Sequence, residues 1–146
     1  MKMKKLICVM ALVCIGMLLV SCGSNRLGDP KAQLMRDFGL HIEKKDCVLE
    51  ELFNNYEGVP YEGIALYKLT IGEDVRQAFL QWERFPFSEE AECFLESLSA
   101  YAELPSIADG CWKMVDRNQG TSAYTNVSLC VYDEATGAAY LLTMDI

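Results

Sequence analysis

Apolar and polar positions alternate through three stretches near the end of the chain, Cys111–Arg117, Asn126–Tyr132 and Ala138–Asp145. A period of two is the signature of strands whose successive side chains point to opposite faces. Between the last two lies Asp133-Glu134-Ala135-Thr136-Gly137, a turn with glycine where the chain needs a left-handed residue. Setting Asp133 opposite Ala138 pairs Val131 with Tyr140, Leu129 with Leu142 and Val127 with Met144, and one face becomes wholly apolar. If Arg117 faces Tyr124 across the loop Asn118–Ala123, Trp112 pairs with Leu129 and Met114 with Val127. Cys111 then falls opposite Cys130, close enough for a cross-strand disulfide, which the chain-entropy estimate makes worth about 3 kcal/mol.

Upstream, Asp29-Pro30 reads as an N-cap followed by proline at the first helical position, with Leu34, Met35 and Phe38 as a short apolar stripe and a stop near Gly39. His41–Phe53 reads as a strand, although Asp46 could cap a helix over part of it. Asn54–Gly63 holds Tyr56-Glu57-Gly58 and Tyr61-Glu62-Gly63 joined by Val59-Pro60, a loop. Ile64–Ile71 follows as a strand with Ile64, Leu66 and Lys68 opposite Ala65, Tyr67 and Leu69. Gly72 breaks it, and Glu73-Asp74 open a helix on residues that the helix dipole favours at its start. Val75, Phe79 and Trp82 form its buried stripe and Pro86 is its end. Ser88 caps a further helix, with Glu89, Glu90 and Glu92 in the first turn, Ala91, Phe94, Leu95 and Leu98 inside, and Pro105 as terminator. The whole is an α+β domain: an antiparallel sheet of about five strands, two central helices on one face, and a C-terminal three-stranded meander.

The start of the chain is of another kind. Lys2, Lys4 and Lys5 precede an apolar run from Leu6 to Val20, the build of a secretory signal peptide. Its 15 residues are short of the about 20 that a membrane span needs. The run closes on Leu19-Val20-Ser21-Cys22, which resembles the lipobox of bacterial lipoproteins; Cys14 is excluded as an alternative because Val13 is too large for the position before the cut. The resemblance implies a diacylglyceryl group on the Cys22 sulfur, cleavage before it, and loss of residues 1–21. Residues 22–29 would form a lipidated tether and 30–146 a single domain. Buried acyl chain contributes about 0.8 kcal/mol per methylene, so two chains anchor far more firmly than one. At about 3.3–3.6 Å per residue, the tether Gly23–Asp29 could hold the domain about 25 Å from the lipid. Gly23 is not an aspartate-type retention signal, so an outer-membrane and a Gram-positive surface location both stay open.

Removing the three leader lysines leaves 10 basic against 21 acidic side chains, a net charge of −11 over the 125 residues from Cys22. Such a surface repels phosphates and anionic headgroups, which argues against nucleic acid as a partner. Four cysteines remain beyond Cys22: Cys47, Cys93, Cys111 and Cys130. An even number in an exported domain permits two disulfides with three connectivities. No spacing is C-x-x-C, which removes support for thioredoxin-like or zinc-ribbon readings.

His41 is the only histidine. No G-x-S-x-G elbow, H-E-x-x-H motif or glycine-rich phosphate loop accompanies it, so neither a catalytic residue, a metal ligand nor a cofactor is assigned. Cys47 as a nucleophile served by His41 is formally open, but the spacing is not diagnostic. The repeat Tyr56-Glu57-Gly58 and Tyr61-Glu62-Gly63 has the chemistry of recognition: Tyr56 and Tyr61 offer rigid apolar area with a hydroxyl, and Glu57 and Glu62 favour a cationic or hydroxyl-bearing partner. The bland alternative is turn chemistry with the rings on the core rim. The end of the chain is similar to small uncharacterised bacterial lipoproteins in Gly110-Cys111-Trp112, followed by Asn126, Tyr132-Asp133, Gly137, Tyr140-Leu141 and Asp145; this implies no activity. The expectation is a membrane-anchored cell-envelope lipoprotein, lipid-held on the extracytoplasmic side, whose domain binds a protein or envelope ligand without catalysis. The rivals are an envelope hydrolase using paired carboxylates and an inhibitor or immunity-type protein.

Overall fold

A computed structural model describes residues 29–43, 46–57, 62–118 and 125–146. The leader, Cys22, the tether up to residue 28, Tyr61 and most of the loop after Arg117 lie outside the described residues. In chain order the elements are α1 (Pro30–Phe38), β1 (Cys47–Asn54), β2 (Gly63–Ile71), α2 (Glu73–Phe79), β3 (Glu83–Arg84), α3 (Glu89–Leu98), β4 (Gly110–Asp116), β5 (Asn126–Asp133) and β6 (Ala138–Asp145). The protein is α+β, with one open antiparallel sheet in the order β1-β2-β6-β5-β4-β3. It has six strands, where about five were expected. The addition is β3, which pairs Glu83 with Trp112 and Arg84 with Cys111.

Local chemistry sets the helix starts. The Asp29 side chain accepts the Lys31 N–H and Ser88 accepts the Ala91 N–H, each satisfying a donor that a helix start leaves without an intrahelical partner. Within α1 the stripe differs from the expected one. Met35 is exposed, and Gln33 takes a buried place instead, because its side-chain amide donates to Ser128 Oγ at 3.0 Å. The helix opened by Glu73 ends at Phe79, seven residues before Pro86. The chain leaves it early so that Glu83 and Arg84 can pair with β4 and Trp112 Nε1 can donate to the carbonyls of Arg84 and Pro86. Likewise α3 ends at Leu98, well before Pro105.

The β5–β6 hairpin has the expected register, with Val131 opposite Tyr140, Leu129 opposite Leu142 and Val127 opposite Met144. Gly137 closes its turn at φ +69°, a conformation cheap only for glycine. The β4–β5 register is shifted two residues from the expected one: Trp112 faces Val131, Met114 faces Leu129, Cys111 faces Tyr132 and Cys130 faces Lys113. The disulfide expected between Cys111 and Cys130 is therefore corrected. All four described cysteines carry free thiols.

Both faces of the sheet are covered, whereas the helices were expected on one. On the first face Ala91, Phe94 and Leu98 of α3 pack on Ile64, Leu66, Val127, Leu129, Val131, Leu142 and Met144. On the second, Leu34 and Phe38 of α1 and Phe79 of α2 pack on Ala65, Tyr67, Leu69, Cys130, Tyr132 and Leu141. There Phe79 stacks on Tyr132 with ring centres 5.1 Å apart and meets Trp82 edge-on at 4.7 Å. The two central helices lie on opposite faces because β2, β5 and β6 are apolar on both sides, and each buried side needs its own cover.

Candidate functional site

At the loop end of the β1–β2 hairpin the described residues of the Tyr-Glu-Gly repeat divide between the two faces. Glu57 and Glu62 form an antiparallel bridge, exchanging backbone hydrogen bonds of 3.0 and 3.2 Å. Tyr56, next to Glu57, turns to the opposite side, and Gly63 packs against its backbone. The glycine is required by close approach, since a Cβ at position 63 would lie 2.6 Å from Tyr56 Cα.

On the first face, this bridge forms one wall of a groove of about 580 Å³. Ile64, Leu98 and Met144 supply apolar lining, Ser97 and Tyr101 come from the end of α3 and the turn after it, and Ile146 flanks β6. Tyr101 and Ile146 are exposed. Glu57 and Glu62 are exposed too. They are direct neighbours across a bridge, so their like charges oppose each other and a cation laid between them relieves that repulsion. They stand side by side on one wall, whereas the carboxylates of a glycoside hydrolase flank the bond they cleave. A second groove of about 430 Å³ runs between α3 and the segments around Phe87 and Pro105; none of the candidate ligand-binding or lipidation residues lines it.

Tyr56 turns to the second face, into a polar network that sequence reasoning missed. Its hydroxyl donates to Asp145 Oδ2 at 2.8 Å and lies 3.1 Å from Thr143 Oγ1. Burial pushes its phenol well above the ordinary tyrosine range, and the Asp145 carboxylate adds to this while the bond with Thr143 opposes it. Arg117 bridges Asp145 to Asp37: Nη2 bonds Asp145 Oδ1, and Nη1 bonds Asp37 Oδ2 at 2.6 Å and Ser128 Oγ at 2.7 Å. Ser128 donates to Asp37 at 2.6 Å while accepting from Gln33. Arg36 completes the set through Nε to Asp37 Oδ1 at 2.7 Å. The Asp37 side chain is only 2 % exposed. Burial raises its carboxyl, but hydrogen bonds from Arg36 and Ser128 and the charge of Arg117 outweigh that, and its pKa lies below the ordinary 3.8. Both carboxylate oxygens are engaged, so the network ties α1 to the ends of β4, β5 and β6.

Tyr56 is thus a packing and hydrogen-bonding residue at the rim of the second core, while Glu57 and Glu62 stay together at the groove. Tyr56→Phe removes a donor to a charged acceptor, and such bonds are worth about 1.5–3 kcal/mol. We expect a loss near the lower end, measured as a urea midpoint shift, with no change at the groove.

The remaining candidates do not converge. His41 is exposed and Cys47 buried. Burial pushes the Cys47 thiol up, with Lys31 opposing weakly, which keeps it protonated and a poor nucleophile. Cys130 is raised by burial, and so is Cys111, the latter with Arg84 opposing. Among the described residues no group of three or more His, Cys, Asp or Glu side chains is placed to hold a metal ion. No described helix is long and apolar enough to cross a membrane. No protein-family model, curated protein or solved structure matches this chain.

Proposed function

We propose that the protein is a cell-envelope lipoprotein, anchored through Cys22, whose domain is a non-enzymatic binding module with its binding surface at the Glu57–Glu62 groove. One observation carries the binding assignment: two neighbouring carboxylates stand beside apolar lining in a groove flanked by exposed Tyr101 and Ile146. That combination suits a ligand or protein segment with a cationic group next to an apolar one. Tyr101 adds an aromatic ring of the kind that attracts such cations. The support for the anchor is the basic start, the apolar run and Leu19-Val20-Ser21-Cys22. The net charge of −11 suits the same ligand class, because a strongly acidic domain accelerates encounter with cationic partners.

The test is crosslinking on intact cells with partner identification by mass spectrometry, comparing wild type with Glu57→Lys/Glu62→Lys. Both side chains are exposed, so stability should change by less than about 0.5 kcal/mol. Capture of the wild-type partner should fall at least about tenfold, the equivalent of 1.4 kcal/mol. Equal capture by the two proteins would sink the groove assignment.

A further inference from the structure

We propose that the outer edge of β1 is a second interaction surface, which accepts an extended segment of another protein as an added antiparallel strand carrying two successive basic residues followed by two aliphatic ones. This goes beyond the groove reading and rests on different residues.

Among the described residues β1 is paired on one side only, with β2. Which backbone groups face outward follows from one bond. The Gly72 N–H donates to the Asp46 carbonyl at 2.9 Å, so the pair 46–72 is hydrogen-bonded toward β2. Backbone direction alternates along an antiparallel strand. Cys47, Leu49 and Glu51 therefore aim their N–H and C=O groups away from the sheet. Unpaired edge groups of this kind are the template for strand addition.

The side chains beside that template are apolar in an unusual place. Val48 is 70 % exposed, Leu49 38 % and Leu52 45 %. These are three of the six large apolar side chains most exposed among the described residues, and all lie on this one strand. Glu50 and Glu51 follow directly and are exposed. Each face of the edge thus presents an aliphatic residue and then a carboxylate: Val48 and Glu50 on one, Leu49 and Glu51 on the other. An antiparallel complement reads basic-basic-aliphatic-aliphatic. Lys68 faces Glu50 from β2, and Asn54 donates to Glu51; neither lies on the outer side.

The same charges argue against a second copy as the occupant. Symmetric pairing that keeps side chains on their own faces and centres on Leu49, Glu50 or Glu51 sets glutamates of the two copies directly opposite or diagonal to one another. Like charges so placed are destabilising. The bulge between Glu51 and Phe53 further limits self-pairing.

The test uses the protein purified from membranes in detergent micelles and two labelled synthetic peptides, one with Lys-Lys-Val-Val at its centre and one with Glu-Glu-Val-Val. Fluorescence anisotropy should show saturable binding of the basic peptide only. Hydrogen exchange should show the amides of Cys47, Leu49 and Glu51 exchanging fast in the free protein and becoming protected with the peptide. Leu49→Pro removes an outward N–H at an edge position where proline is tolerated, and should weaken binding at least about tenfold, a change of 1.4 kcal/mol. A charge-swapped Glu50→Lys/Glu51→Lys variant, which keeps the backbone, should prefer the acidic peptide. Glu57→Lys/Glu62→Lys should still bind the basic peptide, which separates this surface from the groove. Equal binding of both peptides, no binding, protection already present in the free protein, or protection that grows with protein concentration alone would each overturn the proposal.

Discussion

Arg117→Met is expected to destabilise the domain by about 3 kcal/mol, the lower end of the range for removing one partner of a buried ion pair. The lower end applies because Arg117 is itself 22 % exposed, although Asp37 beneath it is nearly inaccessible. The substitution keeps an unbranched apolar stem while taking charge from Asp37 and Asp145 and a donor from Ser128. The melting temperature should fall on the order of 10 °C, and the urea midpoint should drop with an unchanged slope. Asp37→Asn combined with Arg117→Met should recover part of the loss, since the buried carboxylate, which the single variant leaves with Arg36 as its remaining cationic partner, is then neutral. A single variant with a wild-type midpoint would mean that the network behaves like a solvent-exposed pair. The pH dependence has a definite sign. The Asp37 pKa is depressed in the folded protein, so its contribution is fully present above the unfolded carboxyl value near 3.8 and is lost as pH falls through the lower folded value. Wild type should therefore lose stability below about pH 4 more steeply than Asp37→Asn.

The second large effect is all-or-none. Cys22→Ala removes the sulfur to which the lipid would be attached, and with it both acyl chains. Fractionated cells should show the variant as an unprocessed precursor or released from membranes, and metabolic labelling with a fatty acid should leave it blank. A mature, membrane-bound species identical to wild type would remove the lipoprotein reading. It would also weaken any role that depends on the domain being held at a surface.

The groove was half legible beforehand. Glu57 and Glu62 stood out as a repeat, but the same repeat suggested that Tyr56 and its neighbours act together. Strand geometry separates them: side chains alternate across the sheet, so Glu57 meets the groove while Tyr56 reaches Thr143 and Asp145 behind it. The two-sided burial of the sheet is hidden in the sequence for a related reason. Ser128, Cys130 and Tyr132 look like a half-polar side in the sequence, yet all three are buried, because the Ser128 hydroxyl is satisfied by Asp37, Arg117 and Gln33 and the ring of Phe79 in α2 covers Tyr132.

Local chemistry was enough to determine the starts of α1 and α3, where Asp29 and Ser88 bond amides within the next three residues, and the β5–β6 register, which a short turn ending in Gly137 holds. Those interactions span a few residues and are complete in the chain itself. The β4–β5 register was decided only by the tertiary structure. A slip of two residues leaves every side chain on its own face, so the apolar pattern cannot choose between a register that pairs Cys111 with Cys130 and the one that separates them. The observed register is accompanied by Arg117 bonded to Ser128, Asp37 and Asp145. That network joins residues 37, 117, 128 and 145, and no local preference encodes it, because its energy exists only once the packed sheet has excluded water from between them.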